Sequence, residues 1–217
     1  CEMCISERYE ALLRPVDDMS AAEAPVEWLA EAERIGRMPE ITAMVVRQAL
    51  DFHDRVGMPV AINLSMADLL DRTTQDLIIR EASRRWSGAL VLEILEHVDF
   101  GRIPEFEGFL ADAQRAGCLI ALDDFGSGCS DMQVLKAMRV DIVKIDGSLV
   151  SGCRADGRID KLLGSLVGYC RQHGISVVAE HIESGEQATR FRDMGCEFLQ
   201  GFFLGRPDLG MNWQNKQ

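Results

Sequence analysis

The 217 residues predict an α/β fold, a closed barrel of alternating strands and helices, and three observations carry that expectation. Four apolar runs break on an acid: Val91-Leu-Glu-Ile-Leu-Glu96, Leu119-Ile-Ala-Leu-Asp-Asp124, Ile142-Val-Lys-Ile-Asp146 and Val177-Val-Ala-Glu-His-Ile-Glu183. Between them lie segments with apolar residues at helical spacing, the crossovers that parallel strands require. Asn63 to Glu93 is 30 residues and Glu93 to Asp123 is 30 again, the length of one strand-helix unit. Periodicity alone also permits an open doubly wound sheet. Acids at so many successive strand ends favour closure, because an open sheet gathers its ligands at one switch point.

A first strand around Glu10 is followed by a helix from Ala22 to Ile35, with Val26, Leu29, Ala30 and Ala32 on one side. Pro39 suits a helix start, and Ile41, Met44, Val45, Gln48 and Phe52 extend that helix to Val56. Gly57-Met-Pro59 ends it before the strand Val60-Ala-Ile-Asn-Leu-Ser65. One helix is expected from Met66 to Trp86, then the strand through Glu96. A helix from Pro104 to Ala116 with Gly117 as its C-cap precedes the strand through Asp124. Asp131–Met138, Ile159–His173 and Glu186–Met194 complete the helices, with Gly174 and Gly195 at C′ positions. Phe198-Leu-Gln-Gly-Phe-Phe203 is the last strand, and the polar tail 208–217 is expected to be loosely held.

Length suits one barrel domain over residues 1–217, and 47% hydrophobic residues can fill its core. A start at Cys1 suggests a piece cut from a larger multidomain protein. No apolar run approaches the roughly 18 residues that cross a bilayer, so no membrane contact is expected from this segment, although its parent could be anchored. A net charge of −12 argues against a duplex nucleic-acid partner. Seven cysteines, an odd number without framework spacing, suggest a reducing cytoplasm. Cys1-x-x-Cys4 is half a zinc motif with no second half, better read as strand filler.

The barrel mouth would gather Glu10, Asn63, Glu93, Asp123, Asp124, Lys144, Glu180 and Gln200. Two like charges about 4 Å apart repel by ~4 kcal/mol at an effective dielectric near 20, so such carboxylates must take up protons or bind cations. An all-oxygen set points to Mg²⁺ or Mn²⁺. Asp123 and Asp124 are neighbours, and both reach one centre only where a strand gives way to a loop. Two ions roughly 3.5–4 Å apart would clamp the attacking and leaving oxygens of a displacement at phosphorus. Lys144 would orient the attacking water or neutralise a phosphate oxygen. The rival reading makes each acid an unrelated strand-end cap, which serves for one residue and poorly for five. His53, His97 and His173 read as surface or capping groups, and the scattered methionines as core.

Glu10-Ala-Leu-Leu-Arg14 resembles the signature of the EAL-domain family of cyclic di-GMP phosphodiesterases. Asn63-Leu-Ser65, Glu93-Ile-Leu-Glu96, Asp123-Asp-Phe-Gly-Ser-Gly128, Lys144-Ile-Asp146, Ala179-Glu-His-Ile-Glu183 and Gln200-Gly-Phe202 follow in the family's order, covering Tyr9 to Pro207. The resemblance implies a modified TIM-type (β/α)8 barrel whose first strand runs antiparallel. It implies hydrolysis of cyclic di-GMP to linear pGpG with two Mg²⁺ or Mn²⁺. Glu10, Asn63, Glu93 and Asp123 would hold one ion, and Asp123, Asp124 and Glu180 the other. Lys144 would bind the nucleophilic water. Gln200 would support the metal-water and substrate network, Arg14 would contact a substrate phosphate, and Pro207 would line a guanine pocket. Glu96 and Glu183 would steady loops. A homodimer and flanking sensory or cyclase domains are further implications. The chief alternative is a catalytically weak or inactive domain that binds cyclic di-GMP as a receptor.

The sequence departs from the family at several points. The Gln-Pro-Ile strand that usually precedes the signature is not found, so the first antiparallel strand is expected to be missing or truncated. His181 stands where glycine is usual, either crowding the second ion or pointing outward. Pro15, Ser127 and Cys129 also differ from common residues, and none of these changes removes a metal ligand.

Overall fold

The computed structural model describes residues 2–5, 8–12, 26–95, 103–126, 135, 137–152 and 157–206. Its strands are β1 (Glu2–Ile5), β2 (Arg8–Ala11), β3 (Val60–Leu64), β4 (Leu90–Leu95), β5 (Leu119–Phe125), β6 (Ile142–Ile145), β7 (Ser176–Ala179) and β8 (Phe198–Leu199). They form one sheet in sequence order; β1 pairs antiparallel with β2, and every later neighbour pair is parallel. The antiparallel strand is therefore present, four residues long, with Met3 opposite Glu10. It was hard to see because ladder hydrogen bonds use the backbone, so the pairing needs no Gln-Pro-Ile side chains.

The sheet curls almost fully round. In a flat sheet β2 and β8 would lie about 29 Å apart, six strand spacings of about 4.8 Å. Yet Gln200, the residue after β8, donates a hydrogen bond from Nε2 to Glu10 Oε2 on β2 at 2.8 Å. Lower down, the Arg8 guanidinium lies 4.4 Å above the centre of the Phe198 ring. Among the described residues no ladder joins β8 to β1; the contacts that bring the two ends of the curl together are these side-chain ones to β2.

Alternation along the strands then produces two cores. Ala61, Val91, Ala121, Ile142 and Val178, with Leu119 and Phe198 against them, form a small cluster inside the curl. The next outward-facing residues, among them Ile62, Leu92, Ile120, Val143 and Val177, join the larger core beneath the helices. Two residues beyond the inner cluster on the same face come Asn63, Glu93, Asp123, Lys144 and Glu180. The apolar inner layer is the floor on which the polar layer stands.

The helices are α1 (Val26–Arg34), α2 (Met38–Val56), α3 (Met66–Leu70), α4 (Arg72–Ala82), α5 (Ile103–Arg115), α6 (Gly147–Gly152), α7 (Gly157–Gln172) and α8 (Gly185–Met194). Most match the periodicity, and Gly117, Gly174 and Gly195 adopt the positive φ expected of C′ residues. The expected helix from Met66 to Trp86 is instead two. Asp71 leaves helical geometry at φ −83° and ψ 112°, and its Oδ2 accepts the Thr74 N–H at 2.7 Å, starting α4 afresh. Ser65 and Asp68 form a capping box at the start of α3. Asp71→Ala should cost about 1 kcal/mol and lower the melting temperature by about 2–4 °C, read by thermal denaturation.

The short α6 was not anticipated. Asp146 starts it by accepting the Ser148 N–H at 2.9 Å. His53 proves buried rather than superficial: its Nδ1 sits 2.7 Å from the Met58 carbonyl and its ring lies 5.2 Å from that of Trp86. The helix expected over Asp131–Met138 falls mostly outside the described residues, and the tail 208–217 wholly so. No helix among the described residues is long and apolar enough to cross a membrane.

Candidate active site

All eight mouth residues lie on the strand ends as the sequence requires. β2 supplies Glu10, β3 Asn63, β4 Glu93, β5 Asp123 and Asp124, and β6 Lys144, while Glu180 and Gln200 follow β7 and β8 directly. Glu10, Glu93, Asp123, Lys144, Glu180 and Gln200 are buried. Asn63 is exposed, and its Nδ2 donates to Glu10 Oε1 at 3.1 Å.

Lys144 is the hub. Its Nζ lies 2.8 Å from Asp123 Oδ1, 3.0 Å from Glu93 Oε2, 3.0 Å from Glu180 Oε1 and 3.7 Å from Glu10 Oε2. The Asp123 contact is an ion pair without hydrogen-bond alignment, so Oδ1 remains a buried acceptor with no directed donor. Asp124 reaches the same centre through its backbone. It has φ 55°, and the β5–β6 register shifts between Leu122 and Phe125. That left-handed step breaks the alternation, and ligand oxygens of Asp123, Asp124 and Glu180 all fall within 4.8 Å of one another.

The charges do not balance: five carboxylates face one ammonium. Burial alone would lower the Lys144 pKa, but Glu93, Glu10, Glu180 and Asp123 together push it well above its ordinary value. Lys144 is thus a fixed cation and a hydrogen-bond donor. Burial raises the Glu93 carboxyl well above the usual range, with Lys144 opposing and the Glu10 and Asp123 charges adding to the rise. At Glu10 burial also acts upward, yet Lys144 and the amide donors Gln200 and Asn63 outweigh it and leave the carboxyl low.

Glu180 is pushed up to about 7, chiefly by burial and against the pull of Lys144. In chelator, the folded protein should keep a proton on Glu180 that the unfolded chain sheds above its ordinary 4.5. Its contribution to stability is therefore full below about 4.5 and is lost as pH rises through about 7. Glu180→Gln should flatten the fall in melting temperature across that window; an unchanged slope would contradict this account.

The donor set fits a hard divalent cation. It is all oxygen, carries excess negative charge and includes a buried carboxylate oxygen lacking a directed donor. His181, also at φ 53°, is exposed, with its ring against Gly147. Of the other candidates, Glu183 stays apart from the cluster; it is exposed, and its backbone N–H donates to Gln187 Oε1 at 2.8 Å. Arg14, Glu96 and Pro207 lie outside the described residues. Arg8 was overlooked. It sits two residues before Glu10 on the same buried face, and counting the alternation back from Glu10 would have found it.

The chain after Gln200 turns away at once. Gly201 has φ 157°, and a Cβ there would lie 2.2 Å from the Ile182 nitrogen. Only glycine lets the chain pass this close, while Ile182 N–H donates to the Gln200 carbonyl at 2.9 Å and Phe203 N–H to the Ile182 carbonyl at 3.0 Å. Those bonds hold Gln200 over Glu10.

Comparison with known proteins agrees with this architecture. The curated relatives include the cyclic di-GMP phosphodiesterase PdeB of Shewanella oneidensis, 31% identical over 93% of this chain and 24% of its own length. Cyclic di-GMP phosphodiesterase PdeF of Escherichia coli is 27% identical over 92% of this chain and 28% of its own. The chain thus spans about a quarter of the length of these relatives. Among solved structures, the FimX EAL domain of Pseudomonas aeruginosa bound to c-di-GMP superposes with a TM-score of 0.87 at 21% identity. That match covers 95% of this chain and 89% of the other. The family model of the EAL domain matches residues 4–207, and the chain belongs to that family.

Proposed function

We propose that this protein hydrolyses one phosphodiester bond of cyclic di-GMP to give linear pGpG, using two Mg²⁺ or Mn²⁺ ions. The observation that carries the proposal is the meeting of Glu10, Glu93, Asp123 and Glu180 around Lys144, with Asp124 turned in by its left-handed backbone. Relatives named as cyclic di-GMP phosphodiesterases support the choice of substrate.

Glu10, Asn63, Glu93 and Asp123 would hold one ion, and Asp123, Asp124 and Glu180 the other. When bound, the ions would supply Lewis-acid stabilisation of the attacking and leaving oxygens. The chain's own contribution is placement. Lys144, kept charged by its neighbours, would donate a hydrogen bond to the attacking water and hold it in line with phosphorus. Gln200, bonded to Glu10, would keep that carboxylate facing the water and substrate network. Arg14 would contact a substrate phosphate and Pro207 a guanine, while Glu96 and Glu183 would steady the loops around them. The P–O3′ bond would break as the water oxygen bonds to phosphorus; the water gives up a proton and the departing 3′ oxygen takes one up, so the step balances as hydrolysis.

Incubation with Mn²⁺ and cyclic di-GMP, followed by chromatography, should show pGpG appearing far faster than with Asp123→Ala. Equal rates would end the proposal. Tight nucleotide binding in chelator with no turnover in metal would instead make the domain a receptor.

A further inference from the structure

We infer that Gly147 and His181 form a size-matched pair that holds Glu180 against Lys144, making them positioning residues for the proposed metal-dependent reaction, on which this inference rests. Lys144 lies on β6, and Glu180 directly follows β7, the adjacent parallel strand. Ile145 on β6 is paired with Ala179 on β7, and the Glu180 N–H donates to the Ile145 carbonyl at 3.2 Å. Immediately beyond this last rung the two chains separate, one into Asp146-Gly147 and α6, the other into Glu180-His181. The His181 ring seats on Gly147 at that fork.

The fit leaves no room. A Cβ on Gly147 would lie 2.5 Å from His181 Cγ and 2.7 Å from both Cβ and Cδ2. Two of these atoms are at the root of the side chain, and no rotation about χ1 moves Cβ. The backbone at 181 would have to yield. It already holds φ 53°, a region that side chains with a Cβ enter at a cost. One residue further on, Ile182 is tied to the β8 segment on both its N–H and carbonyl. A displacement at 181 is blocked on that side and therefore passes to Glu180, whose Oε1 lies 3.0 Å from Lys144 Nζ. The size of residue 147 thus sets where a mouth carboxylate stands, although the nearest atoms to a Cβ there all belong to His181.

The test is Mn²⁺ titration of the intact protein, read by electron paramagnetic resonance of the free ion, alongside melting in chelator. Gly147→Ala should weaken Mn²⁺ binding at least tenfold, the scale of lost outer-sphere support. Adding His181→Gly removes the ring, and the double variant should return to within about threefold of His181→Gly alone. A purely structural effect would lower the melting temperature in chelator without moving the Mn²⁺ affinity. Wild-type affinity in Gly147→Ala, or a double variant no better than that single one, would overturn the coupling. Should Gly147→Ala not accumulate as folded protein, recovery of folded, Mn²⁺-binding double variant supports the pair, and its failure too overturns it. Wild-type protein that binds no Mn²⁺ removes the proposed function and this inference together, whereas Mn²⁺ binding indifferent to residue 147 removes only the pair.

Discussion

Replacing Lys144 with methionine should destabilise the protein in chelator by about 3–5 kcal/mol at pH 8, the cost of removing one partner from a buried ionic cluster. Lys144 is only 2% exposed, and it is the one cation among the described residues in contact with Glu10, Glu93, Asp123 and Glu180. Methionine fills similar volume, so the loss is electrostatic rather than a cavity. The remaining acids must then take up protons or bind a metal. Two consequences separate this account from ordinary core damage. The destabilisation should shrink as pH falls, because neutral carboxyls no longer need the ammonium. Added Mg²⁺ should also restore stability, by about 2.7 kcal/mol at a hundred times its dissociation constant. Activity should stay at least about a hundredfold low even in saturating metal, since the proposed donor to the attacking water is gone. A Lys144→Met protein as stable as wild type in chelator at pH 8 would show that the lysine is not the internal counter-charge.

Much of this arrangement could be read from residue order, for a definite reason. Strands buried on both faces keep runs such as Val91-Leu-Glu-Ile-Leu95 and Ile142-Val-Lys-Ile145 almost wholly apolar, so one interior polar residue stands out. Glu93 and Lys144 are those residues. The pair Asp123-Asp124 even implied its own backbone irregularity, and the left-handed φ at Asp124 is the form it takes. What escaped notice depends on local competition or distant packing. Asp71 looks like any polar residue on a helix surface until its side chain is seen capping Thr74. The six-residue α6 is too short for periodicity to reveal. Arg8 and His53 are polar residues buried against aromatic rings, Phe198 and Trp86, that lie far from them in sequence. The fit of His181 to Gly147 joins positions 34 residues apart and leaves no pattern in either segment.

Asp123→Asn should reduce turnover by at least about a thousandfold while leaving melting in chelator unchanged or slightly higher. The opposite signs follow from the same geometry. Asp123 is the carboxylate assigned to both proposed ions, and asparagine keeps its shape and one carbonyl oxygen but removes the charge. Asp123 Oδ1, 2.8 Å from Lys144 yet without a directed donor, gives folding little hydrogen-bond energy to lose. Its charge meanwhile raises the energy of Glu93 and Glu180, both biased by their surroundings toward the protonated form. Deleting it relieves like-charge repulsion of the kind worth ~4 kcal/mol for close pairs at an effective dielectric near 20, and the weakened contact with Lys144 offsets part of that gain. Asp124→Asn, which touches only one of the two proposed ions, should retain more activity than Asp123→Asn. Turnover of Asp123→Asn within tenfold of wild type would remove Asp123 from the centre of the site. A fall of several degrees in its chelator melting temperature would show that the carboxylate serves the fold rather than the metals.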